Sequence, residues 1–128
     1  MYIASIGLGD IAQKAYLPLI TQLKDVNPYF CTRTESTLQQ LAEKYRVNNL
    51  YRSVDELLKE DLDAAFVHAA TEAHYSIVKK LLQEKIPTFV DKPITYHLEK
   101  TEELIALAEK NETILMTGFN RRYVPTYR

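Results

Sequence analysis

At 128 residues the chain is the size of one domain, long enough to bury a core and too short to build two. A hydrophobic fraction of 46% with 26% charged residues is that of a globular protein, and a net charge of −1 excludes a general attraction to nucleic acid or a membrane surface, so any anion binding must be local. A lone cysteine, Cys31, excludes an internal disulfide and a thiolate metal site, which points to a reducing, cytoplasmic compartment.

Met1 to Ile6 lacks the basic start and long apolar stretch of a leader, and Tyr2 to Ile6 reads as a first β-strand. Ile11 to Leu23 has helical period, with Pro18 expected to kink it because proline removes an interior hydrogen bond. Tyr29 to Cys31 is a short second strand, Thr34 to Tyr45 a polar-faced helix with Leu38, Leu41 and Ala42 on one side, and Asn49 to Tyr51 a weak third strand. Ser53-Val54-Asp55-Glu56 is a capping box opening a short helix. Ala64 to Ala69, Thr88 to Asp91 and Ile114 to Thr117 are almost wholly apolar, as expected of central strands covered on both faces. Helices Ala73 to Lys85, with Ile77 and Leu81, and Leu98 to Asn111, with Leu104, Ile105, Leu107 and Ala108, separate them. Alternating strands and helices with right-handed crossovers imply an α/β fold, a doubly wound parallel sheet of about six strands in the order 3-2-1-4-5-6.

The three glycines stand at positions 7, 9 and 118, and two of them fall in the first strand-to-helix turn, Gly7-Leu8-Gly9-Asp10-Ile11-Ala12. This G-x-G-x-x-A string in that position is the dinucleotide-binding turn of a Rossmann domain: Gly7 for the tight turn, Gly9 for close approach of a diphosphate, Ala12 for packing of helix on strand. Free amides at the helix start would face the anion. At the end of strand 2, Thr32-Arg33-Thr34 replaces the acidic residue that usually receives the ribose hydroxyls of NAD. A guanidinium flanked by two hydroxyls suits a phosphate, so NADP is expected over NAD, with Arg33 as the main contact. The competing reading is that Arg33 is an exposed loop charge and Thr34 a helix cap.

Three further clusters follow strands 4, 5 and 6, at the sheet edge where ligands of open α/β sheets bind: Thr71-Glu72-Ala73-His74, Asp91-Lys92-Pro93, and Gly118 through Tyr123. With these the sequence resembles the glucose-fructose oxidoreductase, inositol dehydrogenase and MocA family over essentially its whole length, and within it the bacterial virulence-factor homologues. That resemblance implies a dinucleotide-binding domain spanning 1–128, a C-terminal substrate and oligomerisation domain lying outside this chain, and a parent homo-oligomer. It also implies a small-molecule substrate with a hydroxyl or carbonyl group, such as a sugar or polyol. Asp91-Lys92-Pro93 is similar to the family's Glu-Lys-Pro, which would set Lys92 beside the nicotinamide and leave Asp91 one methylene short of the usual ribose contact. A cis peptide at Pro93 is consistent with that motif. Thr71 and His74 match the family's Thr-Pro-x-x-His at its ends, and both are expected near the cofactor, Thr71 also as a helix cap. By the same resemblance Asn120 would lie near the nicotinamide and Arg122 in the substrate pocket, with Arg121 a weaker candidate.

The chemistry of Lys92 stands apart from the resemblance: an ammonium beside a carbonyl stabilises the charge that develops as hydride arrives. Left to residues alone, His74 reads equally as a polar surface group, His68 as a hydrogen-bonded core histidine, and His97 as a helix-entry residue; their spacing is not that of a metal site. A non-catalytic module that senses NADP remains open as an alternative. A methyltransferase using S-adenosylmethionine fits less well, because it usually wants an acid after strand 2.

Overall fold

The computed structural model describes residues 1–10 and 12–118. Six strands, β1 (Tyr2–Ile6), β2 (Asn27–Cys31), β3 (Asn49–Tyr51), β4 (Ala64–Val67), β5 (Thr88–Asp91) and β6 (Leu115–Gly118), form one parallel sheet in the order β3-β2-β1-β4-β5-β6. This is the doubly wound order expected from the sequence. Each parallel crossover carries a helix, α2 (Glu35–Tyr45), α3 (Val54–Leu57), α4 (Thr71–Gln83) and α5 (Leu98–Lys110) among them.

The strand period of two divides the core between the two faces. Ala4, Ile6, Ala65, Val67 and Val90 face α4 and α5, where Val78, Leu81, Leu82 and Leu104 are fully buried. Phe30 turns to the other face and packs with Leu8, Leu17, Leu38 and Leu41. Of the residues expected to form the inner stripe of α5, Leu104 and Ala108 are buried, but Ile105 is 43% exposed, because the stripe is narrower than the run of apolar residues.

The first crossover departs from the expected helix over Ile11 to Leu23. A wide π-helical turn, Ala12–Tyr16, leads into α1, Leu17–Ile20. Restarting the α-helix at Leu17 places Pro18 in a first turn, where its missing N–H costs nothing, instead of in an interior that it would break. Ser53 caps α3 as expected, accepting from the Glu56 N–H at 3.2 Å. The expectation that β6 is central is corrected: it lies at the sheet edge, and Ile114 and Met116 are more than half exposed. Its apolar composition reflects partial cover only.

Candidate dinucleotide site

The order β3-β2-β1-β4 makes the chain reverse its winding direction between β1 and β4, and the loops that leave these strands part there. A crevice of about 820 Å³ opens at this point along the carboxyl ends of the sheet. Its walls are the glycine turn after β1, the loop after β2, the start of α3, and the β4–α4 junction.

The two turn glycines have different jobs. Gly7 has φ +85°, and a Cβ there would stand 2.5 Å from the Ala69 backbone nitrogen and 2.8 Å from the His68 carbonyl carbon. Only glycine allows the turn to lie against the end of β4. Its own N–H donates to the Cys31 carbonyl at 2.8 Å, so this amide belongs to the fold and not to an anion cradle. Gly9 is the reverse case: it is exposed, lines the crevice, and a Cβ would meet no atom of the described residues within 4 Å. Its missing side chain leaves open space beside the crevice that it lines. That is the fit a closely approaching diphosphate requires. Leu8 between them is buried in the core, Gln13 ties the turn by donating from Nε2 to the Leu8 carbonyl at 2.7 Å, and Asp10 is exposed. Ile11 lies outside the described residues.

At the next wall, Thr32 and Arg33 line the crevice, and Arg33 is exposed. Thr34 is the cap residue of α2 by position and makes no side-chain cap hydrogen bond. Beside them stands a residue that sequence reasoning missed, Arg52, which follows β3 directly and lines the same wall. The β2–β3 register pairs Cys31 with Tyr51, so the residue after β3 necessarily neighbours the loop after β2. That topology was the signal available. Cys31 is buried at this wall, and desolvation, with the Glu56 carboxylate adding to it, pushes its thiol up to about 11. With only on the order of one part in a thousand ionised at pH 8, Cys31 should resist iodoacetamide in the folded chain and react once urea unfolds it. Rapid alkylation of the native chain, followed by mass spectrometry, would contradict that burial.

Two histidines brace the far side. His68, just past β4, has a wholly buried side chain whose Nδ1 lies 3.0 Å from Asp91 Oδ2. Since an ionised carboxylate only accepts, Nδ1 carries the proton, and Nε2 is buried without a partner among the described residues. The Tyr16 ring stacks on His68 at 4.3 Å between centroids. The reading of His68 as a hydrogen-bonded core residue holds, and its partner is the first residue of the Asp-Lys-Pro motif. His74, expected at the surface or at the cofactor, is instead 1% exposed. Its Nδ1 lies 3.0 Å from the carbonyl oxygens of both Pro93 and Ile94, and its Nε2 lies 2.8 Å from that of Ala69. With backbone carbonyls at both ring nitrogens, His74 binds the loop after β4 to the loop after β5.

Asp91, Lys92 and Pro93 thus sit in a turn held from both ends, His68 gripping its first side chain and His74 its following carbonyls. The Lys92–Pro93 peptide is cis, and Lys92 is exposed. Thr71 opens α4 but does not cap it: the cap position is Ala70, without a side-chain bond, so Thr71 lies one residue inside the helix. Asn120, Arg121 and Arg122 lie outside the described residues. Among the described residues no cluster of histidine, cysteine or acidic side chains could hold a metal, and no helix is long and apolar enough to cross a membrane.

Residues 1–119 match the model of the oxidoreductase family with an NAD-binding Rossmann fold named GFO_IDH_MocA. The chain belongs to the Gfo/Idh/MocA family. A crystal structure of a Gfo/Idh/MocA oxidoreductase from Vibrio cholerae superposes with a TM-score of 0.94 at 45% identity, covering 99% of this chain and 41% of that one. The Salmonella typhimurium protein YceM, named as an oxidoreductase, is 38% identical over 98% of this chain and 41% of its own length. The myo-inositol 2-dehydrogenase of Thermotoga maritima is 30% identical over 96% of this chain and 37% of its own length. The chain therefore spans about two fifths of the length of these Gfo/Idh/MocA relatives.

Proposed function

We propose that this chain is the dinucleotide-binding part of a hydride-transferring oxidoreductase that prefers NADP and acts on a sugar, polyol or related hydroxyl or carbonyl compound. The open space left by Gly9 at the switch point between β1 and β4 carries the reading, since nothing among the described residues demands a glycine there. A nicotinamide dinucleotide, when bound, supplies the hydride acceptor or donor. The protein's share is position and charge. Gly9 and the amides after it admit the diphosphate, while Thr32 and Arg33 receive the adenosine ribose and its 2′-phosphate. Lys92 presents its Nζ to the reacting oxygen, donating a hydrogen bond as negative charge grows there. The two-histidine brace on residues 91–94 limits where that ammonium can go, which is the kind of support a positioned catalytic group needs.

The substrate pocket and the oligomer contacts fall to a C-terminal domain of the longer protein, in line with the lengths of the relatives, and the parent enzyme is a cytoplasmic homo-oligomer. Dinucleotide binding, in contrast, is within reach of the 128 residues alone. Titration with NADPH and NADH, followed by amide NMR shifts, should give saturable binding of both, NADPH the tighter, with Gly9 among the resonances that move. Absence of saturation with either nucleotide in a folded sample would remove the proposal.

A further inference from the structure

The structure assigns a second guanidinium to the nucleotide's phosphate end: we infer that Arg52, together with Arg33, forms a pincer that selects a 2′-phosphorylated dinucleotide, and that Glu35 holds Arg52 ready for it. This deepens the NADP reading and rests on it. Thr32 N–H donates to the Tyr51 carbonyl at 3.1 Å, extending the β2–β3 ladder by one bond, so that Arg33 and Arg52 leave the sheet as neighbours. Arg52 Nη2 donates to the Arg33 carbonyl at 2.8 Å, and Arg52 Nη1 donates to Glu35 Oε2 at 2.6 Å. Two of the five guanidinium N–H donors are thereby used, and the other three have no partner among the described residues.

Both arginines line the crevice and Glu35 does not. The Glu35 carboxylate thus holds Arg52 without itself lining the crevice, and can orient the cation from outside it. This is the opposite of the arrangement that excludes NADP, in which the acid itself reaches the ribose hydroxyls. Fixing the guanidinium in advance also lowers the entropy lost when a phosphate binds it. Arg52 is 56% exposed in its side chain, so the tie to Glu35 adds little to stability, and its value lies in placement.

Calorimetric titration of NADPH and NADH into the wild-type chain, Arg52→Ala, Glu35→Gln, Arg33→Ala and Arg33→Ala/Arg52→Ala, at one fixed ionic strength, tests this. Arg52→Ala should weaken NADPH by about tenfold or more, the size of a lost charge-assisted bond, and NADH by less than about twofold. Glu35→Gln should leave NADH unchanged and weaken NADPH at least about twofold, because only the phosphate meets the cation that Glu35 orients, and tighter NADPH binding would overturn the role given to Glu35. In the Arg33→Ala background Arg52→Ala should still cost NADPH severalfold. No further loss there would mean that Arg52 merely stiffens the Arg33 loop, and an equal loss for both nucleotides would overturn the inference outright. The wild-type ratio of the two affinities judges the NADP reading separately, since it is fixed before any variant is compared.

Discussion

Gly7→Ala should unfold more readily and bind no dinucleotide, whereas Gly9→Ala should fold as well as the parent and still lose the ligand. The difference follows from where each missing Cβ points. At Gly7 an alanine must adopt φ +85°, which costs an L-residue about 1–2 kcal/mol, and its Cβ would press on the Ala69 nitrogen and Cα at 2.5 and 2.7 Å. Those are backbone atoms at the end of a central strand and cannot swing aside, so overpacking adds about 1–3 kcal/mol more. A total near 3 kcal/mol lowers the melting temperature of a chain this size by roughly 10 °C. At Gly9 the added methyl meets nothing among the described residues, and stability is unchanged or rises by a few tenths of a kcal/mol through the stiffer unfolded chain. The methyl would nevertheless occupy the approach of the diphosphate, so the dissociation constant for NADPH should rise at least about tenfold. Thermal unfolding and titration of the two variants side by side separate these effects. Full binding by folded Gly9→Ala would show that the turn does not cradle the nucleotide.

The same contrast shows what the residue order alone could reveal. Spacing and position identified both glycines, because the G-x-G-x-x-A turn is a local pattern tied to a strand before it and a helix after it. Their division of labour was hidden, since it depends on β4, some sixty residues further on, closing against Gly7. The sheet order was readable for a related reason: strand-helix alternation and crossover handedness leave few topologies. Edge status was harder, because composition tells that a strand is apolar and not how much of each face is covered. In β6 Met116 is 51% exposed, although the segment reads like a central strand.

Polar side chains were the least legible. His74 looked like a surface or ligand residue because one histidine in the first turn of a helix carries no sign of its surroundings. Its burial is set by a loop some twenty residues later, whose two carbonyls arrive at Nδ1. Arg52 passed unnoticed as one charge before a capping box, and only pairing of Cys31 with Tyr51 brings it beside Arg33. The π-helical turn before Pro18 is a middle case: proline announced a disturbance, while its form depended on how α1 seats Leu17 in the core.

Breaking the His68–Asp91 pair is the other change expected to cost several kcal/mol. His68→Ala removes a wholly buried ring from beneath Tyr16, opens a cavity, and leaves the Asp91 carboxylate without its N–H donor. Asp91 is 24% exposed in its side chain, so water recovers part of the lost bond and the total should be about 2–4 kcal/mol, short of a fully buried pair. His68→Phe keeps a ring against Tyr16 and gives up only the polar part, so it should cost about half as much. Asp91→Asn then provides the diagnostic: its amide offers an oxygen to Nδ1–H but no negative charge. In a double-mutant cycle by urea unfolding, His68→Phe and Asp91→Asn should show a coupling of about 1–2 kcal/mol. Strict additivity would mean that the carboxylate's charge adds nothing to the 3.0 Å contact and that a neutral acceptor holds His68 as well. Coupling of the expected size would tie the loop that carries Lys92 to the floor of the crevice through one bond.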